Sequence, residues 1–124
     1  MSTIDKEQFT EFDAFQEQAW ERSNLHGDTN KGSMYLAAGL STESNEVLAI
    51  VNKSTHHNKE FELHKLVEEM GDTPWYLAML AKKYGVSLSD VAKAQIEKNH
   101  KRFPHGYNRE HYLARMDENP EVKK

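Results

Sequence analysis

Two acidic pairs hold most of the chemistry available to this chain, Glu43-x-x-Glu46 and Glu69-x-x-Asp72, each set in an apolar pattern of helical period. Residues three apart on a helix share a face, one turn apart. Each pair therefore presents two carboxylates in one direction, and two such helices packed side by side would pool all four. Close carboxylates repel one another and do not all stay ionised without a counter-charge. Protonation or a hard divalent cation such as Mg²⁺ relieves that repulsion. The pattern points to a cation site, with phosphate chemistry built on it. Lys53 follows Glu46 by seven residues, two turns along the same face, where it could meet a phosphate that the cation also holds. Lys98 and Arg102 are four apart and project together, a simple grip for a phosphate chain. A solvated basic face at a helix C-terminus would explain that last pair without any ligand.

Composition narrows the setting. The 124 residues suffice for one domain with a single core. A formal charge of -4 argues against a general nucleic-acid binder, which normally carries a basic excess. The absence of cysteine excludes disulfides, thiolate metal sites and cysteine nucleophiles. No apolar run approaches the ~18 residues of a membrane span, and the first residues contain no apolar signal segment. A cytoplasmic protein without a membrane or nucleic-acid partner is expected.

Helices must position these side chains. Phe9, Phe12, Phe15 or Gln16, Ala19 and Trp20 recur at helical spacing and predict a first helix from Asp5 to about Arg22, with Asp5 and Gln8 resembling a capping box. Its aromatics read as core, although Trp20 closes the helix beside a polar loop, where a ring can also stack on a base. That loop, residues 23–32, contains His26 and Asn30. A second helix is expected from about Ser33 to Lys53, with Leu36, Leu40, Val47, Ile50 and Val51 as its stripe. Gly39 within it marks close helix packing or costs about 1 kcal/mol. His56 and His57 fall in the next connection and lack partners at i+4, so they read as solvated loop. A third helix, roughly Glu62 to Tyr84, would bury Leu63, Leu66, Val67, Met70, Leu77, Leu80, Ala81 and Tyr84, with Pro74 kinking it beside Glu69 and Asp72. Gly85 stops it. Ser87 and Asp90 then open a fourth helix to about Arg102. A short helix near Glu110 to Met116 precedes a polar tail. No strand stands out, so the fold class is all-α.

The ordered set Gly39-Leu40-Ser41-Thr42-Glu43-Ser44-Asn45-Glu46-Val47, Lys53, Glu68-Glu69-Met70-Gly71-Asp72, Trp75-Tyr76 and Lys98-x-x-x-Arg102-Phe103-Pro104 resembles the MazG-like all-α NTP pyrophosphohydrolases. These are relatives of the dimeric dUTPases and of phosphoribosyl-ATP pyrophosphohydrolase. The resemblance covers about residues 10–107. It implies a pyrophosphohydrolase domain over residues 1–107, a C-terminal extension over 108–124, and a four-helix bundle-like protomer that assembles as a dimer or tetramer. It also implies Mg²⁺, with Mn²⁺ substituting, on Glu43, Glu46, Glu69 and Asp72. Lys53, Tyr76, Lys98 and Arg102 match positions that contact phosphates. The implied reaction converts an NTP or dNTP to the monophosphate and pyrophosphate. Glu46 and Glu69 are the candidate catalytic carboxylates, Glu46 to orient or deprotonate the attacking water. Trp20 and His26 are candidates for the base pocket, whereas Trp75 reads as core. The chain departs from the family pattern at Thr42, where many members have Glu, at Pro74, where many have an aliphatic residue, and at Gln95, where many have Asn.

Other readings differ in what they require of these residues. A related hydrolase acting on dUTP, a phosphoribosyl nucleotide or an alarmone such as ppGpp would share the metal-phosphate half of the site and differ in its base contacts. A non-catalytic helical interaction protein would use the acidic faces as solvated surface, and has no need of two phased pairs opposite basic residues. A di-iron carboxylate bundle needs two Glu-x-x-His motifs, and only Glu97-x-x-His100 is present.

Overall fold

The computed structural model describes residues 9–24, 30–115 and 118. They form five helices: α1 (Thr10–Glu21), α2 (Asn30–His56), α3 (Leu63–Lys83), α4 (Leu88–Arg102) and α5 (Arg109–Ala114). Among the described residues there is no strand, only an isolated bridge between Pro104 and Gly106, so the fold is all-α. None of these helices is long and apolar enough to cross a membrane. Glu11–Leu88 forms one compact unit, and Ser89 onward belongs to a second.

In the first unit, Ala19, Leu36, Ala78, Met79 and Leu88 make the buried core, and Phe15, Trp20, Trp75, Tyr76, Leu77 and Leu80 pack against it. Phe15 meets Trp75 edge-on, with ring centroids 5.7 Å apart. Gln16 takes the core-facing slot on α1 and is 2% exposed. Its Nε2 donates to the carbonyls of Ala78 (3.1 Å) and Val86 (2.9 Å), and its Oε1 accepts from the Leu88 N–H (3.1 Å). One amide thus ties α1 to the end of α3 and the turn that follows. That turn is a Schellman stop: Gly85 adopts the left-handed conformation (φ 73°), and the Val86 N–H donates to the Ala81 carbonyl.

α2 and α3 run antiparallel, because partners rise along one as they fall along the other. Gly39 faces Tyr76, Glu43 meets Glu69 and Asp72, and Lys53 shares a cavity with Glu62 and Lys65. α2 begins three residues earlier than the apolar pattern predicts and extends to His56. Ser54 Oγ donates back to the Val51 carbonyl within that extra turn. α3 continues through Pro74, which deprives the Met70 carbonyl of its i+4 donor.

Burial on α3 departs from expectation. Leu63, Val67, Met70 and Tyr84 are 52–67% exposed rather than buried; on α2 Val51, expected in the apolar stripe, is 42% exposed, and its neighbour Leu48 is 64% exposed. On each helix the stripe Leu48/Val51 or Leu63/Val67/Met70 lies about a third of a turn from the facing carboxylates, in the same rotational sense. Since the helices are antiparallel, both stripes fall on one side of the pair. Periodicity identified an apolar face but not what covers it.

The second unit contains α5, whose start is explained by Asn108. Its Oδ1 accepts from the N–H groups of Glu110 (2.8 Å) and His111 (3.2 Å), an N-cap. Arg115 in the left-handed region ends the helix.

Candidate metal centre

Glu43 on α2 and Glu69 and Asp72 on α3 converge: one carboxylate oxygen from each lies within 4.8 Å of the others. Glu43 and Glu69 are half-buried and Asp72 is exposed. Helical phase explains the convergence, since Glu43 and Glu69 occupy the faces that α2 and α3 turn toward each other and Asp72 follows one turn on. Glu46 is exposed and not one of the three, because it sits at the edge of that face. Its charge nevertheless acts on Glu43.

The electrostatics are those of crowded anions. Desolvation, then the charges of Asp72 and Glu69, hold the Glu43 carboxyl above the ordinary carboxylate range. A hydrogen bond with the Glu69 side chain adds to that shift. Such a cluster suits a hard divalent cation, because it supplies only carboxylate oxygens and no softer nitrogen or sulfur donor. The three side chains therefore fit Mg²⁺ or Mn²⁺.

Tyr76 borders this group, and Gly39 makes room for it. A Cβ at Gly39 would stand 2.4 Å from Tyr76 Cε1 and 2.5 Å from Cδ1, so only glycine admits the ring where it lies. Tyr35, one turn before Gly39, meets Tyr76 edge-on with centroids 6.2 Å apart. A hydrogen bond with Tyr35 leads the causes that raise the Tyr76 phenol, followed by burial, with smaller contributions from Glu43 and Asp72. Thr73, next to Asp72, has a buried hydroxyl without a hydrogen-bond partner.

The other candidates are distributed as follows. Lys53 lines a cavity of about 440 Å³ with Ile50, Lys59, Glu60, Glu62 and Lys65, in which Lys65 pairs with Glu62 at 2.8 Å. Along α2 it stands two turns, about 10 Å, beyond Glu46. Trp20 packs against the core of the first unit, and Trp75 does so as expected. His26 lies outside the described residues. Lys98, exposed, and Arg102, half-buried, occupy successive turns of α4 in the second unit. Tyr35 was not singled out from sequence, although its place one turn before Gly39 was a usable signal.

Comparison with known proteins identifies the family. The MazG nucleotide pyrophosphohydrolase domain matches residues 32–107, more than half of the chain and all of α3 and α4. A similar curated protein is the uncharacterized protein YvdC of Bacillus subtilis (strain 168), 58% identical over 41 residues. That match spans 33% of this chain and 39% of YvdC, well under two thirds of the relative's length. No solved structure matches. With the acidic group of α2 and α3 inside the matched region, the chain belongs to the MazG nucleotide pyrophosphohydrolase domain family.

Proposed function

We propose that the chain is a Mg²⁺-dependent pyrophosphohydrolase that cleaves a nucleoside or deoxynucleoside triphosphate to the monophosphate and pyrophosphate. The observation that carries this reading is the meeting of Glu43, Glu69 and Asp72 within 4.8 Å, in a chain of this family. A divalent cation held by these carboxylates would offset both their mutual repulsion and the charge of the triphosphate, stabilising charge that develops at the phosphoryl group.

The chain's own residues supply the remaining steps. Glu46, exposed at the rim, accepts a proton from the attacking water through a carboxylate oxygen and orients it. The Tyr76 hydroxyl, turning from Tyr35, donates to a phosphate oxygen. Lys53 offers an ammonium beyond Glu46 for the distal phosphate. We also assign a homodimer or homotetramer, supported by the apolar stripes Leu48/Val51 and Leu63/Val67/Met70 left exposed on one side of α2 and α3. A nucleotide substrate and a cysteine-free chain both suit the cytoplasm.

The test is pyrophosphate release from a panel of NTPs and dNTPs, with Mg²⁺ and with EDTA, and with Glu69→Gln alongside. Metal-dependent release that the variant loses is expected. Release that survives EDTA or persists in Glu69→Gln would overturn the assignment, as would no release from any nucleotide. The ranking across bases would name the preferred substrate.

A further inference from the structure

The side of α2 that carries Glu46 also carries Tyr35, Gly39 and Lys53, at offsets of four, eleven and eighteen residues from Tyr35. Those offsets are close to one, three and five full turns, so the four positions form one stripe. Read along the helix, the stripe offers an aromatic ring, a gap filled by Tyr76, a carboxylate and an ammonium. Tyr35 precedes Glu43 by eight residues, about 12 Å of rise. When phosphates lie at the carboxylates, the base end of an extended nucleotide falls at that distance.

Tyr35 is also unusually well held for an exposed residue. It remains 58% exposed, yet its ring meets Tyr76 edge-on at 6.2 Å and an interplanar angle of 63°. Edge-on contact leaves the two rings unstacked. Tyr76 in turn sits down onto Gly39, where no Cβ could stand, so the ring that orients Tyr35 is itself fixed. An aromatic ring held in place loses little further freedom on binding. The ring carries no positive charge with which to hold a phosphate. What it offers is an apolar π surface, which stacks on any nucleobase.

We propose that Tyr35 is the stacking platform for the nucleobase, held by Tyr76 over Gly39 at the end of the site opposite Lys53. This rests on the nucleotide-hydrolysing reading above and adds a base contact to the Trp20 candidate, which is partly buried against the core.

Two probes separate the proposal from the reading beneath it. One is an α,β-imido nucleoside triphosphate, which keeps the base and resists cleavage; the other is inorganic tripolyphosphate, which has no base. Calorimetric titration of each with Mg²⁺ would be run on wild type, Tyr35→Phe, Tyr35→Leu and Tyr35→Ala. Tyr35→Ala and Tyr35→Leu are expected to weaken the imido nucleotide about tenfold, and tripolyphosphate less than about twofold. Tyr35→Phe, which keeps the ring, is expected to bind the nucleotide within about threefold of wild type. Equal loss for both probes would place Tyr35 on the phosphate half and overturn the proposal, as would unchanged nucleotide affinity in Tyr35→Ala. Wild type binding tripolyphosphate but not the nucleotide would sink the platform alone. Wild type binding neither would remove the site reading, and the platform with it.

Discussion

Gly39→Ala is expected to destabilise the protein, although Ala is the better helix former. The substitution removes the conformational cost of glycine within α2, a gain of about 1 kcal/mol. Against that, the new methyl would lie 2.4 Å from Tyr76 Cε1, where ordinary contact begins at 3.4 Å, so the ring must retreat by about 1 Å. The ring is held by Tyr35 and packs against the core, so the move strains both contacts. Overpacking of this kind costs about 1–3 kcal/mol, leaving a net loss of up to roughly 2 kcal/mol. The sharper expectation is a change of sign. In a Tyr76→Ala background the ring is gone, and Gly39→Ala should then stabilise by about 1 kcal/mol. Urea unfolding of the four proteins in this cycle measures the coupling, expected at about 1–3 kcal/mol. Gly39→Ala raising stability with Tyr76 intact, or acting equally in both backgrounds, would refute the packing of Tyr76 on Gly39 and the placement of Tyr35 that depends on it.

Three further outcomes follow from particular contacts. Gln16→Leu keeps the bulk but leaves the buried Leu88 N–H without its partner, at about 1–3 kcal/mol, and the part-buried Val86 carbonyl to be satisfied by water. Chemical denaturation should show a loss of about 1–3 kcal/mol, and an unchanged midpoint would contradict the staple. The folded chain binds the Glu43 proton more tightly than the unfolded chain, because its carboxyl is raised by burial, Asp72 and Glu69. That contribution is complete below the unfolded value and is lost as pH rises through the folded one. Melting in EDTA should therefore weaken over that range in wild type and less so in Glu43→Gln, while stabilisation by Mg²⁺ should grow as the carboxyl ionises. Val67→Glu places a charge in the exposed stripe and should shift the protein toward monomer by light scattering, with the helical content intact. A wild-type protein that is itself monomeric would count against the assigned oligomer.

How much could be read beforehand varies by residue. The four carboxylates were legible because i,i+3 spacing on a helix is decided locally. Which of them gather was not, because convergence depends on the register of α2 against α3; that register brings Glu43 to Glu69 and Asp72 and leaves Glu46 at the rim. Gly39 could be marked as either a cost or a close approach, and only Tyr76 lying over it distinguishes the two. The role of Gln16 had little signature, since an amide in an apolar slot makes sense only once the carbonyls it reaches are in place. Leu63, Val67 and Met70 obey the same periodicity as buried residues, so the pattern could not foresee their exposure.

The sequence by itself determined the helical class, the acidic pairs and the family, because helix formation, same-face spacing and ordered motifs are properties of the chain read locally. Tertiary structure decided which carboxylates share a site, which aromatic borders it and which apolar face stays open. Those depend on how two antiparallel helices slide and turn against each other, and no single stretch of sequence encodes that relation.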